Sequence, residues 1–254
     1  MWLFNVVRND FKYLYYKLTM QNLFLENVTI VIPTYNSEKT INNTLNSISK
    51  YFNKIIIVDA NSKDLTIEIS KEYKTKIIRS KKSRGTQLLL GAKNVSTEWI
   101  LFLHSDTTLK KSNVIDIKNF VSKDINNNKA ASFKIKFNKK KIWSYLLKMI
   151  VNIRSKYLKL PYGDQGLLIS KSFYNNIGGY KNIPIMEDVE IIRNIGYKNI
   201  KILDSYVTTD AIRFENQGWL LRPIINLYCL ALYFLGFNIH NINKIYLRNR
   251  NGKS

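Results

Sequence analysis

The chain is short of cysteine, histidine, proline and acid, and each shortage removes a class of function. Its one cysteine, Cys229, excludes an intrachain disulfide and fits a reducing compartment. Two histidines, His104 and His240, leave few members for a Ser-His-Asp constellation and form no Cys/His cluster of zinc spacing. Walker phosphate loop, Gly-x-Gly-x-x-Gly fingerprint and nucleophile-elbow serine are all missing. Four prolines and ten glycines in 254 residues build no linker, and no repeat of solenoid period appears, so a single domain is expected. The shortage of acid has the widest effect: 18 acidic against 40 basic residues leave a net charge of +22. Such a field favours anionic partners, although lysine scattered along the whole chain also fits plain compositional bias.

A long uninterrupted apolar run is also missing. The most apolar segment, Trp219 to Phe237, contains Arg222, Pro223 and Asn226, whereas a spanning helix wants about 20 predominantly apolar residues. It reads as a buried or membrane-lying helix. The N-terminus, Met1 to Lys17, is interrupted by Arg8, Asp10 and Lys12, which rules out a secretory apolar region. Its aromatics (Trp2, Phe4, Phe11, Tyr13, Tyr15, Tyr16) suit an amphipathic helix. The expected location is cytoplasmic, peripheral at the inner face of the membrane.

With 45% hydrophobic residues the chain has material for a full core. Val28 to Ile32 is a β-rich run stopped by Pro33, and Lys54 to Val58 is a strand buried on both faces. Ile77-Ile78 predicts a brief strand, and Trp99 to Leu103 a fourth. Between them helical spacing covers Glu38 to Tyr51, Leu65 to Tyr73 and Arg84 to Asn94. Strands alternating with helices imply an α/β fold with a mainly parallel central sheet. Beyond Asp106 the spacing predicts helices over Asn113 to Lys123 and Ile142 to Lys159, with a strand over Ala130 to Phe137. Trp143, Leu146, Leu147, Ile150 and Ile153 mark one side of the second helix. The Gly178-Gly179 turn precedes a last helix opened by Glu187-Asp188.

Ligand sites in such sheets lie beyond the carboxyl ends of the strands. Three of those ends carry polar groups: Pro33 to Asn36, Asp59 to Asn61, and His104-Ser105-Asp106. Asp106 is a suitable ligand for Mg²⁺ or Mn²⁺, with His104 a further candidate for metal or phosphate. Each turn also has an ordinary reading, since Asx residues cap and close turns whatever the function. Asp59 can accept hydrogen bonds from a nucleobase or ribose, while Asp64 reads as a helix-start residue. Arg84 opens a helix, where a guanidinium and free backbone N–H groups meet phosphate, with Gln87 close by. Glu187-Asp188 offers a general base for a hydroxyl, and Gly163-Asp164-Gln165 is either a tight turn or an acceptor loop.

In this order the segments resemble the family-two glycosyltransferases of GT-A fold. Val28 to Asn36 is similar to that family's first strand and nucleotide-binding turn, Val58 to Asp64 to its second-strand motif, and Leu101 to Asp106 to its Asp-x-Asp metal motif. Leu160 to Gln165, Ile177 to Tyr180, Pro184 to Glu190 and Arg84 to Gln87 resemble a bacterial subfamily of radical-SAM/selenodomain-associated transferases. The resemblance implies a GT-A catalytic domain over residues 28–216, an aromatic extension over 1–27, and an apolar helical segment with a basic tail over 217–254. It implies inverting, metal-assisted transfer of a sugar from a nucleotide-sugar donor to an acceptor hydroxyl. Asp188 is then the catalytic base. Pro33, Tyr35, Asp59, Arg84, Gln87 and Ser105 hold the nucleotide-sugar, and Gly163, Asp164, Gln165 and Glu187 line the acceptor site. Asp106 and His104 hold Mg²⁺ or Mn²⁺, although His104 stands where the motif has a carboxylate.

Two rivals fit less well. A nucleotidyltransferase of related fold would place a Gly-rich loop after the first strand, and Pro33 to Ser37 has no glycine. A non-catalytic basic module for membrane or nucleic acid needs a recognised motif, and none is present, so nucleic acid is not an expected partner. Membrane contact is compatible with catalysis: the aromatic N-terminus, the segment 219–237 and the positive charge together suit an anionic surface and a lipid-linked acceptor.

Overall fold

The structure, a computed structural model, describes residues 23–248. The expected N-terminal amphipathic helix lies outside them; of the 1–27 extension only residues 23–27 are described, with Leu23 and Leu25 packed in the core.

Three βα units open the fold. Strands β1 (Val28–Thr34), β2 (Ile55–Asp59), β3 (Lys76–Arg79) and β4 (Trp99–Phe102) alternate with helices α1 (Glu38–Ile48), α2 (Thr66–Lys71) and α3 (Arg84–Lys93). β3, β2, β1 and β4 lie side by side and parallel. The apolar runs are continuous because both faces are covered. Ile30 and Ile32 of β1 enter one core cluster with α1, whereas Val31 enters another with Leu88 and Ala92 of α3.

Pro33 does not end β1, contrary to the expectation. The strand continues to Thr34, with Pro33 paired opposite Val58. Hydrogen bonds alternate along β1: Ile30 and Thr34 bond towards β2, and Val31 towards Leu103. The missing N–H of Pro33 therefore faces the β4 side, beyond the Val31–Phe102 pair, where the β1–β4 ladder stops while the β1–β2 ladder continues.

The second half is mixed. After the short β5 (Thr107–Thr108) and α4 (Lys111–Val121), β6 (Ala130–Phe137) leads to helix α5 (Ile142–Tyr157). β7 (Leu167–Ser170) returns antiparallel to β4, with Leu167 opposite Phe102. Then follow α6 (Lys171–Asn176), α7 (Glu187–Ile195) and the long β8 (Ile200–Thr209). The sheet order is β3-β2-β1-β4-β7-β6-β8-β5, with four parallel and three antiparallel pairings. Helices α8 (Ile212–Gln217), α9 (Leu221–Phe234) and α10 (Ile239–Arg248) close the described chain. Residues of α9 and α10 share a third cluster with Ile185, Met186 and Val189 around α7. The architecture is the α/β, GT-A-like arrangement expected, with its C-terminal helices.

Helix α5 departs from its expected packing. Of the five apolar residues assigned to one side, only Leu147 is buried; Trp143, Leu146, Ile150 and Ile153 are exposed. The inward face is instead Ser144, Leu147, Val151 and Ser155. Its serines are satisfied locally: Ser155 Oγ donates to the Val151 carbonyl and to Gln165 Oε1, and Ser144 Oγ to the Lys139 and Lys141 carbonyls.

Candidate active site

The carboxyl ends of β1, β2 and β4 share one rim, as Thr34 pairs with Asp59 and Val31 with Phe102. The antiparallel β7 begins at the same rim, so the Gly163 to Gln165 turn preceding it stands beside His104. The first two turns are tied together. Asn36 donates its N–H to Ser62 Oγ at 2.9 Å, and its Oδ1 accepts from Lys63 N at 3.0 Å. Asn36 and Asn61 both take the left-handed conformation, which Asn tolerates better than most side chains.

Asp59 is fully buried at the end of β2. Its carboxylate accepts from Thr34 Oγ1 (3.0 Å), Ser62 N (2.9 Å), Ser62 Oγ (2.5 Å) and Arg79 Nη1 (2.7 Å). Asp64 is structural, as expected, but it also serves another helix: Oδ2 accepts from Glu38 N at the start of α1, and Oδ1 from Thr66 N and Oγ1. Tyr35 is exposed, with Lys82 Nζ 3.7 Å from its ring centre. Ser105 meets Ser37 Oγ at 3.0 Å, and its carbonyl accepts from Thr44 Oγ1. Asp106 is half-buried, and its backbone carbonyl accepts from Asp210 N.

Two predicted binding residues turn inward. The Gln87 amide is buried and donates to the carbonyls of Thr34 (2.9 Å) and Val58 (2.7 Å), clamping the ends of β1 and β2. Gln165 is also buried; it donates to the Phe133 carbonyl at 2.8 Å and accepts from Ser155 Oγ at 2.7 Å. Both hold the frame of the site. Asp164 is half-buried beside Gln165, and its carbonyl accepts from Thr209 Oγ1.

A cleft of about 250 Å³, counted out to open solvent, brings together Arg84, His104, Gly163, Tyr180, Glu187 and Asp188. Gly85 makes this approach possible: a Cβ there would lie 2.4 Å from the Lys181 carbonyl, so only glycine lets α3 pack against that backbone. Arg84 Nε then stands 3.8 Å from Glu187 Oε1. A Cβ on Gly163 would fall 2.6 Å from His104 Nε2, so the missing side chain lets the imidazole and the loop share space. Asp188 Oδ2 accepts from Gly163 N at 3.2 Å and Oδ1 from Val189 N at 2.8 Å. The carboxylate is thereby fixed over the loop.

Met186, just before α7, holds a left-handed conformation (φ 63°) without being glycine, a strain of order 1–3 kcal/mol that persists only where packing enforces it. Met186 is buried in the third cluster, and that anchoring points Glu187 inward. Burial pushes the Glu187 carboxyl up to about 7; neighbouring Asp188 adds to the rise and Arg84 opposes it. The Tyr180 phenol is driven well above its ordinary value, first by burial and then by Asp188. Thr34, Tyr180 and Met186 stand inside motifs without a role of their own in the sequence, and Arg79 stands outside them. Each acts through packing or through a partner distant in sequence. Only Gly179-Tyr180, beside an evident turn, left a local signal.

A resident metal cage is not built: among the described residues no three His, Cys, Asp or Glu side chains group to hold an ion. The donors present, a carboxylate at Asp106 and an imidazole at His104, fit a cation that keeps waters and shares a substrate's phosphates.

Similarity to known proteins follows the same outline. Residues 29–180 match the family described as Glycosyl transferase family 2. The chain is 34% identical over 102 residues to the O-antigen chain rhamnosyltransferase RfbN of Salmonella typhimurium, covering 37% of this chain and 32% of that protein. It is 32% identical over 106 residues to the poly(ribitol-phosphate) beta-N-acetylglucosaminyltransferase TarS of Staphylococcus aureus, covering 37% and 18%. The chain thus spans a third or less of the length of these relatives. In fold it is similar to S. aureus TarS 1-349, with a TM-score of 0.57 at 19% identity over 89% of this chain and 71% of that one. It is similar also to the mannosyltransferase PcManGT of Pyrobaculum calidifontis in complex with GDP-Man and Mn2+, with a TM-score of 0.58 at 13% identity over 93% and 78%. These matches carry the broad family and not the narrower selenodomain-associated subfamily. The matched segment covers more than half of the chain and contains all three strand-end turns and the cleft loop, so the protein belongs to glycosyl transferase family 2.

Proposed function

We propose that the protein transfers a sugar, with inversion, from a nucleoside-diphosphate sugar to an acceptor hydroxyl, with Asp188 as the base. The observation that carries this is the cleft itself: Asp188, fixed by Gly163 N, faces Arg84 and His104 at the rim where β1, β2 and β4 end. The acceptor oxygen attacks the anomeric carbon, its proton passes to Asp188, and the bond to the diphosphate breaks with the electron pair leaving on the diphosphate oxygen. Arg84, at the start of α3, offers its guanidinium to the developing negative charge. Pro33, Tyr35 and Asp59 frame the nucleoside, with Ser105 beside it. Asp59 orders its turn through Ser62 and Arg79. Asp106 and His104 would hold Mg²⁺ or Mn²⁺, which supplies electrostatic stabilisation of the leaving diphosphate when bound. Glu187, Gly163 and Asp164 border the acceptor, and burial raises the Glu187 carboxyl above its ordinary range, which favours its neutral form and limits like-charge repulsion beside the base.

The donor class is supported by relatives in fold, one solved with UDP-GlcNAc and others with UDP-Glc or GDP-Man and Mn2+. The acceptor is proposed to be lipid-linked, and the enzyme to work as a peripheral protein at the cytoplasmic face of a membrane. Its positive charge and apolar C-terminal helices support that placement; among the described residues no helix is long and apolar enough to cross a bilayer. A thermal-shift screen of UDP-, GDP- and dTDP-sugars with Mn²⁺, Mg²⁺ or EDTA tests the donor assignment. A metal-dependent rise with one nucleotide class is the expected result. No rise with any of them contradicts the assignment.

A further inference from the structure

Helix α5 is built inside out for a soluble surface helix. Its inward face is narrow and half serine, while Ile142, Tyr145, Met149, Ile150, Ile153 and Tyr157 point outward and are 50–70% exposed. Sixteen helical residues make a stripe about 24 Å long. Scattered exposed apolar residues are ordinary, but a continuous stripe of this length marks a surface that something covers.

The charge around the stripe says what covers it. From Ile125 to Gly163 the chain contains no acidic residue and ten basic ones. Lys139, Lys140 and Lys141 stand at one end of the stripe, three cations against the single carboxylate of Glu215, and Lys156 and Lys159 at the other. Helix α9 repeats the pattern: Leu221, Ile224, Leu227 and Tyr228 are exposed, and no acid follows Glu215 to the end of the sequence. The two helices are tethered at both ends of α5. Glu215, just ahead of α9, pairs with Lys141 at 2.9 Å and Lys139 at 3.5 Å, and Leu160 packs against the cluster containing Ile225 and Cys229. A second copy of the chain would set like-charged lysine borders against each other. An anionic bilayer matches both the apolar stripe and its basic rim.

We infer that the outward face of α5, continued by α9, docks the protein in the interfacial layer of an anionic membrane with α5 lying in the plane. This deepens the membrane placement proposed above and is independent of the catalytic roles. In-plane insertion fits the chain, because neither helix is long enough to cross. The rim lysines steer the approach and the apolar stripe holds the bound state, so binding weakens with salt without vanishing at once.

The test is vesicle sedimentation of the full chain with phosphatidylcholine vesicles, with and without phosphatidylglycerol, at low and high salt. The combined substitution Tyr145→Ser, Met149→Ser, Ile153→Ser removes three outward residues that pack against no core cluster, and the melting temperature monitors its fold. The expected result is binding that requires phosphatidylglycerol and falls at least tenfold in the triple variant, with an unchanged melting temperature. Lys140→Glu with Lys156→Glu is expected to lower binding at low salt as well. Triple-variant binding equal to wild type overturns the docking face and leaves the membrane placement standing. Wild type that ignores phosphatidylglycerol vesicles at low salt overturns both. A wild-type dimer made monomeric by the triple substitution overturns the inference too, because the stripe then covers itself with a second copy.

Discussion

Replacing Glu187 by glutamine should remove a pH dependence of stability that the wild type carries. Glu187 is buried, and its carboxyl titrates at about 7 in the folded chain against an ordinary value of 4.5. The folded state therefore binds the proton more tightly than the unfolded chain. This carboxyl's contribution to stability is fully present below about pH 4.5 and is lost as pH rises through about 7. Between about pH 5 and pH 8 the loss amounts to roughly 2–3 kcal/mol, with one pKa unit worth about 1.4 kcal/mol. Glutamine keeps the shape and cannot ionise. Denaturant melts of both proteins at the two pH values give the difference directly. Wild type should lose about 2–3 kcal/mol more than the variant on going from pH 5 to pH 8, equivalent to roughly 4–12 °C in melting temperature for a domain of this size. Taking the difference cancels every other titrating group that the substitution leaves alone. Identical pH dependence in the two proteins would refute the inward, desolvated placement of Glu187.

Three further outcomes follow from the geometry. Gln87→Ala removes two buried hydrogen bonds that join the ends of β1 and β2, with the Thr34 carbonyl keeping only Ala60 N, and should cost about 1–3 kcal/mol in a chemical melt; a neutral result would mean that the clamp between β1 and β2 is not made. Gly163→Ala puts a Cβ against the His104 ring, a side chain that can yield. The melting temperature should stay within about 2 °C while turnover falls roughly tenfold or more, since small misplacements at a reacting centre are costly, and unchanged turnover would remove His104 and the loop from the site. Asp106→Ala should weaken metal-dependent donor binding at least tenfold by calorimetry, and a variant with wild-type affinity that EDTA still abolishes would take it out of the metal site.

Much of the first half of the fold was legible because its signals are local. Ile55 to Val58 and Trp99 to Phe102 are apolar runs ended by polar turns, and a parallel sheet then places Asp59 and Asp106 on one rim. The cleft was only half legible. Glu187-Asp188 and Gly163 could be named individually, but their meeting depends on β7 running antiparallel to β4, a pairing that no local spacing encodes. Gln87 and Gln165 read as ligand contacts in the sequence because an amide in a motif looks the same whether it bonds a substrate or a backbone carbonyl. Pro33 reads locally as a strand end, whereas the β2 pairing that carries β1 on to Thr34 is a tertiary feature. Helix α5 shows the reverse limit: its spacing predicts a helix correctly, yet the assumption that apolar residues face inward fails where the outward stripe has its own use.

The reading of Asp188 as the base rests on a separation of binding from chemistry. The direct measurement pairs the donor dissociation constant of Asp188→Asn with its rate of nucleoside diphosphate release in the presence of acceptor, both against wild type. Asparagine keeps the size of the side chain and one of the two oxygens that now accept from the Gly163 and Val189 amides, but it is far too weak a base to take the acceptor's proton. The account predicts donor affinity within about threefold of wild type and a rate lowered by roughly two to four orders of magnitude, the range of general-base contributions. Turnover retained while donor affinity collapses would contradict it, and would move Asp188 from the acceptor's proton to the donor.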